Sequence, residues 1–351
     1  MNDQEIRVPR KAIIIGVLLF AVLFWVTVSK IFRNIELGHL RELALGGDLR
    51  FFLLGVGCML VYAFMEGLNF WRILNISGYP HTVFQCFRYA ATGIFFNAIT
   101  PSASGGQPMQ ILAMRSDGIH ISHGTFAIFN NLLGYQISAV TLSVTGLILN
   151  RDVLLHGTGG LAWILVIGIL SNALLAAGIA AFIFSPAVTG KLAGGAIRAA
   201  GKLFPKLGDM LSAKLRSFTS EYGNCAAYIR SHPAGLLTTV LISLVQVSAM
   251  FAVPYFAYRF LGVSEVSFAE LFLLQAVIFV GVGLIPLPGA MGVNEIITLA
   301  VYQNLFSEAM VSDGAFVSRT ISLYLWIAVY GIMVVVWAIR LWRRRSPVKQ
   351  G

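Results

Sequence analysis

Long apolar runs separated by short polar stretches dominate the chain, at about 12–31, 51–71, 83–99, 125–149, 161–184, 236–260, 270–285 and 319–339. An α-helix needs roughly 20 apolar residues to cross the hydrocarbon of a bilayer. In lipid only helices and closed barrels satisfy their own backbone. The pattern predicts an all-α polytopic membrane protein. Two runs depart from it. The third passes into "TPSASGGQP" at 100–108 and the seventh into "IPLPGAMGVNE" at 285–295, each followed by a short, fairly apolar stretch instead of a polar loop. Helix breakers at membrane depth are tolerated only where the freed backbone is buried in protein or lines a wet cavity. These two segments therefore read as re-entrant helical hairpins and the other six as full transmembrane spans.

The order span, span, hairpin, span over 12–149 recurs over 161–339, entering from the opposite face. That is an inverted-topology repeat, in which transporters gather broken helices from each half around a midplane site. The first repeat occupies 1–150, with its hairpin near 83–115. The second has its first span within 151–187, then a basic cytoplasmic loop at 188–235. The remainder, 236–351, holds a hairpin near 270–306 and a basic tail.

With 57% hydrophobic and 11% charged residues, the composition leaves no room for a hidden soluble domain. The run from Ala12 to Val28 follows a basic segment and lacks a small-residue cleavage site, so it counts as a span and not a signal peptide. The net charge of +10 does not imply a nucleic-acid partner, because the basic residues carry no such motif and cluster beside apolar runs, as orientation signals do. Placing the basic stretches 191–230 and 340–349 in the cytoplasm puts both termini there and sends the first hairpin in from inside, the second from outside. Only Lys30, Arg33, Arg41, Arg50, Arg151, Arg259 and Arg319 then face outward. Charge alone does not separate hairpins from full crossings. Arg198, Lys202 and Lys206 recur four apart, which suits an interfacial helix on anionic lipid and equally an ordinary cytoplasmic loop. Cys58, Cys86 and Cys225 lack paired spacing and read as packing residues.

Few ionisable groups fall at membrane depth, where each costs about 2.5–3.5 kcal/mol on insertion scales. Glu295, seven residues after Pro288, opens the returning arm of the second hairpin, where a helix amino terminus favours a carboxylate. It is the leading functional candidate, with a capping role as the alternative. Glu66 is followed by Asn69 and Arg72 and is expected to form an interfacial ion pair. Arg88, in the entering arm of the first hairpin, either meets an anionic headgroup or snorkels to the surface. Gln107 and Gln110 follow Gly105 and Gly106 and offer donors and acceptors to a polar ligand. Asn130, Gly134, Ser138, Thr141 and Thr145 draw a small and polar stripe that serves helix packing or walls a polar groove. The helix break itself is expected to expose backbone groups to a substrate. The chain has no HExxH, GxSxG or P-loop pattern and no pair of intramembrane aspartates, so no enzyme activity, metal or cofactor is expected.

At its two breaks the chain resembles the transmembrane flippase-domain family of lysylphosphatidylglycerol synthetases, over nearly its whole length. The resemblance rests on "ITPSASGGQPMQ" with the following "MRSDGI", and on "IPLPGAMGVNE". The family's first motif, Thr-Pro then Gly-Gly, matches Thr100, Pro101, Gly105 and Gly106, with Gln107 and Gln110 at positions where some relatives carry a charged pair. Its second, Pro-Gly-Gly-x-Gly-x-x-Glu, matches Pro288, Gly289, Gly292 and Glu295, with Ala290 at the middle glycine; Asn294 lies beside it. The resemblance implies movement of a polar lipid across the bilayer, with these motif residues as substrate contacts; Arg88 and Asn130 join them as candidate contacts from their own positions in the chain. Because the chain ends at 351, lipid synthesis is not expected of it. The expectation is a lipid translocase of the bacterial cytoplasmic membrane, partnered by phospholipid. A proton-coupled solute transporter and a non-transporting partner of a lipid-modifying enzyme remain alternatives. The sequence does not give the oligomeric state.

Overall fold

The computed structural model describes residues 46–100, 103–157, 162–185, 233–283 and 293–345, with isolated positions between 188 and 227. The predicted span at 12–31, the basic residues Arg198, Lys202 and Lys206, and the motif residues Pro101, Pro288, Gly289 and Gly292 lie outside the described residues.

Every regular element described is helical. They are α1 (Leu49–Ile76), α2 (Val83–Ile99), α3 (Gly106–Ser116), α4 (Ile121–Leu149), α5 (Arg151–Gly157), α6 (Ala162–Phe184), α7 (Pro233–Phe251), α8 (Val253–Phe260), α9 (Phe268–Val282), α10 (Val293–Tyr302), α11 (Glu308–Arg319) and α12 (Leu325–Arg345). Polar caps start them where the sequence turns apolar. Thr82 and Gln85 form a reciprocal capping box at α2, and Ser267 accepts from the Glu270 amide at α9. Gly78 and Gly118, at φ of +86° and +87°, end α1 and α3 in the left-handed conformation that glycine adopts without a side-chain clash.

Five helical stretches are long and apolar enough to cross a membrane: Leu49–Ile76, Ile121–Leu149, Ala162–Phe184, Ala234–Phe260 and Glu308–Arg340. Each coincides with one of the predicted full spans. Two of them are not straight helices. The fourth breaks at Ala252, where Pro254 cannot donate into the preceding turn. The fifth passes through a π turn at Thr320–Tyr324, and the indole of Trp326 donates to the Ile321 carbonyl there at 2.8 Å. This last stretch begins eleven residues before the predicted 319–339, because Ser307 caps a polar first turn that hydropathy does not register.

Both breaker segments join two short helices. α2 and α3 fold back on each other, since Arg88 near the start of α2 meets Asp117 just past the end of α3, and Gly93 faces Gln110 midway. α9 and α10 also pack together, and the Tyr302 hydroxyl donates to Oε1 of Gln275 at 3.2 Å. α1, α4 and α7 meet in the middle of the molecule. The α2–α3 hairpin leans on α1, α4 and α12, whereas α9 leans on α4 and α6. Apolar burial drives little helix association within lipid, so close approach and hydrogen bonds decide the packing. Gly67 sits against the backbone of Phe87, where a Cβ would lie 2.8 Å from its Cα. Gly168 of α6 crosses Gly281 of α9 more closely still, and Ser143 and Asn172 donate to the α9 carbonyls of Ala276 and Val280 at 2.6 and 2.8 Å.

Candidate functional site

The hairpin turn is built from its own side chains. The Thr100 hydroxyl donates to the Phe96 carbonyl at 2.6 Å and accepts from the Gly105 amide at 2.9 Å. Asn97 accepts from the Gly106 amide at 2.9 Å. A Cβ on Gly105 would come within 2.6 Å of Cγ2 of Thr100, and one on Gly106 would run into Asn97. This corrects the expectation that the break offers free backbone groups to a substrate: the Gly105 and Gly106 amides are already occupied. The glycines are there for closeness.

The turn delivers Gln110 to the centre. Gln107 is half-buried, while Gln110 is 4% exposed and its Nε2 donates to Oε1 of Glu66 at 2.8 Å. Gly93 provides the space, because a Cβ there would collide with the Gln110 side chain. Glu66 does not form the expected interfacial ion pair. It lies in mid-helix, 9% exposed, with Gln110 on one oxygen and Nε2 of Gln246 at 3.5 Å from the other. Arg72, six residues on, points to a different level of the helix.

Glu66 is one end of a polar seam between α1, α4 and α7. One level further along, Nδ2 of Asn69 donates to Asn131 and to Ser243, each at 3.0 Å. At the next, Thr239 donates to Oδ1 of Asn130 at 2.8 Å, and Arg72 donates to the Thr239 hydroxyl. The pairings 66 with 246, 69 with 243 and 72 with 239 show that α1 and α7 run antiparallel. Tyr62, Tyr135 and Tyr330 gather beyond Glu66, near enough to feel its charge. Several atoms in the seam are buried without a partner: Oδ1 of Asn69, Nε of Arg72, Nδ2 of Asn130 and Oε1 of Gln246.

Arg88 is committed elsewhere. It pairs with Asp117, which also accepts from the Tyr89 hydroxyl at 2.6 Å, and its guanidinium lies 5.5 Å and 6.0 Å from the ring centres of Tyr89 and Trp337. It fastens the open end of the hairpin. The predicted stripe on α4 divides in two. Asn130, Gly134 and Ser138 face α7, where Ser138 donates to the Val240 carbonyl at 3.1 Å. Thr141 and Thr145 are exposed and bond back to their own helix. Asn294 and Glu295 fall in the first turn of α10, and their side chains lie outside the described residues.

Thr239, Ser243 and Gln246 were absent from the candidates read from the sequence. Their spacing of four and three within an apolar run was a readable signal, but one that lipid-facing threonines and serines also produce. No cluster suited to a transition metal occurs among the described residues. A family model described as the lysylphosphatidylglycerol synthase transmembrane region matches residues 13–329. The chain belongs to that family. It is also similar to a "UPF0104 membrane protein" of the archaeon Archaeoglobus fulgidus, with 24% identity over 262 residues, covering 70% of this chain and 76% of the relative. This family member is a multi-pass membrane protein with a lipid-related role, and the matched region contains both hairpins and the entire seam.

Proposed function

We propose that this protein is a lipid translocase, in which a phospholipid headgroup travels along the seam between Arg72 and Glu66 while its acyl chains remain in the bilayer. The supporting observation is the set of orphaned polar atoms. An interhelical hydrogen bond in a membrane protein returns on average about 0.6 kcal/mol. Each buried polar atom left unpaired costs on the order of 1–3 kcal/mol. With Asn69, Asn130, Gln246 and Arg72 all leaving an atom unpaired, the seam is a poor device for stability and a suitable lining for a polar ligand. Arg72, which has no carboxylate partner among the described residues, receives the phosphate at the mouth, with Thr239 and Asn130 beside it.

The inverted repeat and re-entrant hairpins belong to the same proposal. α4 of the first half packs on hairpin helix α9 of the second, and α12 of the second half packs on hairpin helix α2 of the first, as a twofold relation requires. At 17 and 11 residues, α2 and α3 span roughly 25 and 16 Å, short for two crossings of a core of about 30 Å. The second hairpin, with Glu295 at the start of its returning arm, serves as the counterpart opening from the outer face. The setting is a cytoplasmic membrane with both termini inside.

The test is movement of a fluorescent phospholipid between leaflets of liposomes carrying the purified protein, followed by quenching of the outer leaflet. Arg72→Ala removes a charged hydrogen-bonding group worth about 1.5–3 kcal/mol, so the rate should fall about tenfold or more. Lipid movement no faster than in protein-free vesicles would overturn the reading.

A further inference from the structure

Glu66 is a carboxylate in mid-membrane with no cation against it among the described residues. Tyr62 from α1, Tyr135 from α4 and Tyr330 from α12 face it, with the amides of Gln110 from α3 and Gln246 from α7. α2 and α8 bring no free charge to it, since Arg88 is paired with Asp117 and Arg259 lies 4.9 Å from the ring centre of Phe51. An unneutralised carboxylate at this depth calls for a purpose.

We propose that Glu66 is where a proton binds during the transport cycle, and that Gln110 passes its arrival to the α2–α3 hairpin. The geometry carries this through Gln246, which is 1% exposed. The Gln246 amide hydrogen-bonds Tyr62 and its Nε2 reaches toward Oε2 of Glu66 at 3.5 Å, while Oε1 of the same amide is buried without a hydrogen-bond partner. An ionised carboxylate is acceptor-only and cannot relieve that oxygen, whereas a protonated one carries an O–H that can. A hydronium ion gives its proton to a carboxylate lone pair and departs as water, and rotation of the Gln246 amide brings Oε1 round to receive the new O–H. No other covalent bond changes, and the proton leaves by the reverse step. Gln110 and Gln246 both turn N–H groups, not oxygens, toward the Glu66 carboxylate, which suits an acceptor awaiting a proton and opposes a metal cation there.

Protonation also acts on the hairpin. The Gln110 bond to an ionised carboxylate is charge-assisted, and hydrogen bonds to a neutral partner are roughly half as strong. Binding of the proton therefore weakens the contact that seats α3 on α1 and shifts the population toward an unseated hairpin. The role in transport rests on the translocase reading, but the proton site does not.

Infrared spectroscopy of the reconstituted protein separates the two. As the pH is lowered, a protonated-carboxyl band should appear in the wild type, be missing in Glu66→Gln, and persist at a shifted frequency in Gln246→Leu. Spectra of the wild type and Glu66→Gln that titrate identically would sink the proposal. In liposomes, an imposed pH gradient should raise the rate of labelled-phospholipid movement about fivefold or more, the lower end of typical coupling between sites. In Glu66→Gln the ratio of rates with and without the gradient should fall to one. A response to a sodium gradient in place of the pH gradient overturns the proton assignment. Lipid movement indifferent to both overturns the coupling and leaves the translocase standing. If no lipid moves at all, the translocase reading fails and the infrared result still decides Glu66.

Discussion

Gln110 reaches Glu66 across 44 residues of sequence, and it does so over the bare backbone of Gly93. The contact joins the hairpin to the central seam. The side chain that a substitution at residue 93 would introduce competes directly for the position of Gln110. Gly93→Ala should therefore expel Gln110 from the carboxylate and lower lipid movement about tenfold. Gly57, also in a helix but with open space where a Cβ would go, supplies the matched control. Gly57→Ala should leave transport unchanged and raise stability by up to about 1 kcal/mol. Equal transport by both variants in the vesicle assay would show that the seat of Gln110 is irrelevant.

The Arg88–Asp117 pair closes the open end of the same hairpin, with side chains 25% and 18% exposed. Partial burial places its loss between that of a surface pair and that of a fully buried one, at about 1–3 kcal/mol. Asp117→Asn should lower thermal stability by that amount, because Arg88 and the Tyr89 hydroxyl lose a charged acceptor together. Tyr89→Phe should cost less, about 1 kcal/mol. Thermal unfolding in detergent checks the order. If Tyr89→Phe proves the more damaging, the clasp is not electrostatic.

Opposed entry of the two hairpins has a direct consequence for surface labelling. His120 and Glu265 are exposed residues at the open ends of the first and second hairpins. A cysteine replacing His120 should be blocked by a small charged thiol reagent only from the cytoplasmic side, and one replacing Glu265 only from outside. Labelling of both from one face would exclude the inverted repeat.

Apolar run length placed the five described spans, and the glycine-proline breaks placed the first hairpin, because membrane depth leaves an α-helix few alternatives and both features are local. The 83–99 run coincides with α2 to the residue, and the hairpin motif was readable from the same stretch. The chemistry of the site was not. Glu66 followed by Arg72 looked like an ion pair along one helix, and Arg88 looked available to a headgroup. Their real partners, Gln110 for Glu66 and Asp117 for Arg88, lie 44 and 29 residues further along the chain. Thr239, Ser243 and Gln246 have the spacing of any polar flecks on a lipid-exposed helix until α1 and α4 are packed against them. In an apolar solvent a polar side chain must find a partner, but the sequence does not say which helix will bring one. That choice is made only when α1, α4 and α7 close on one another.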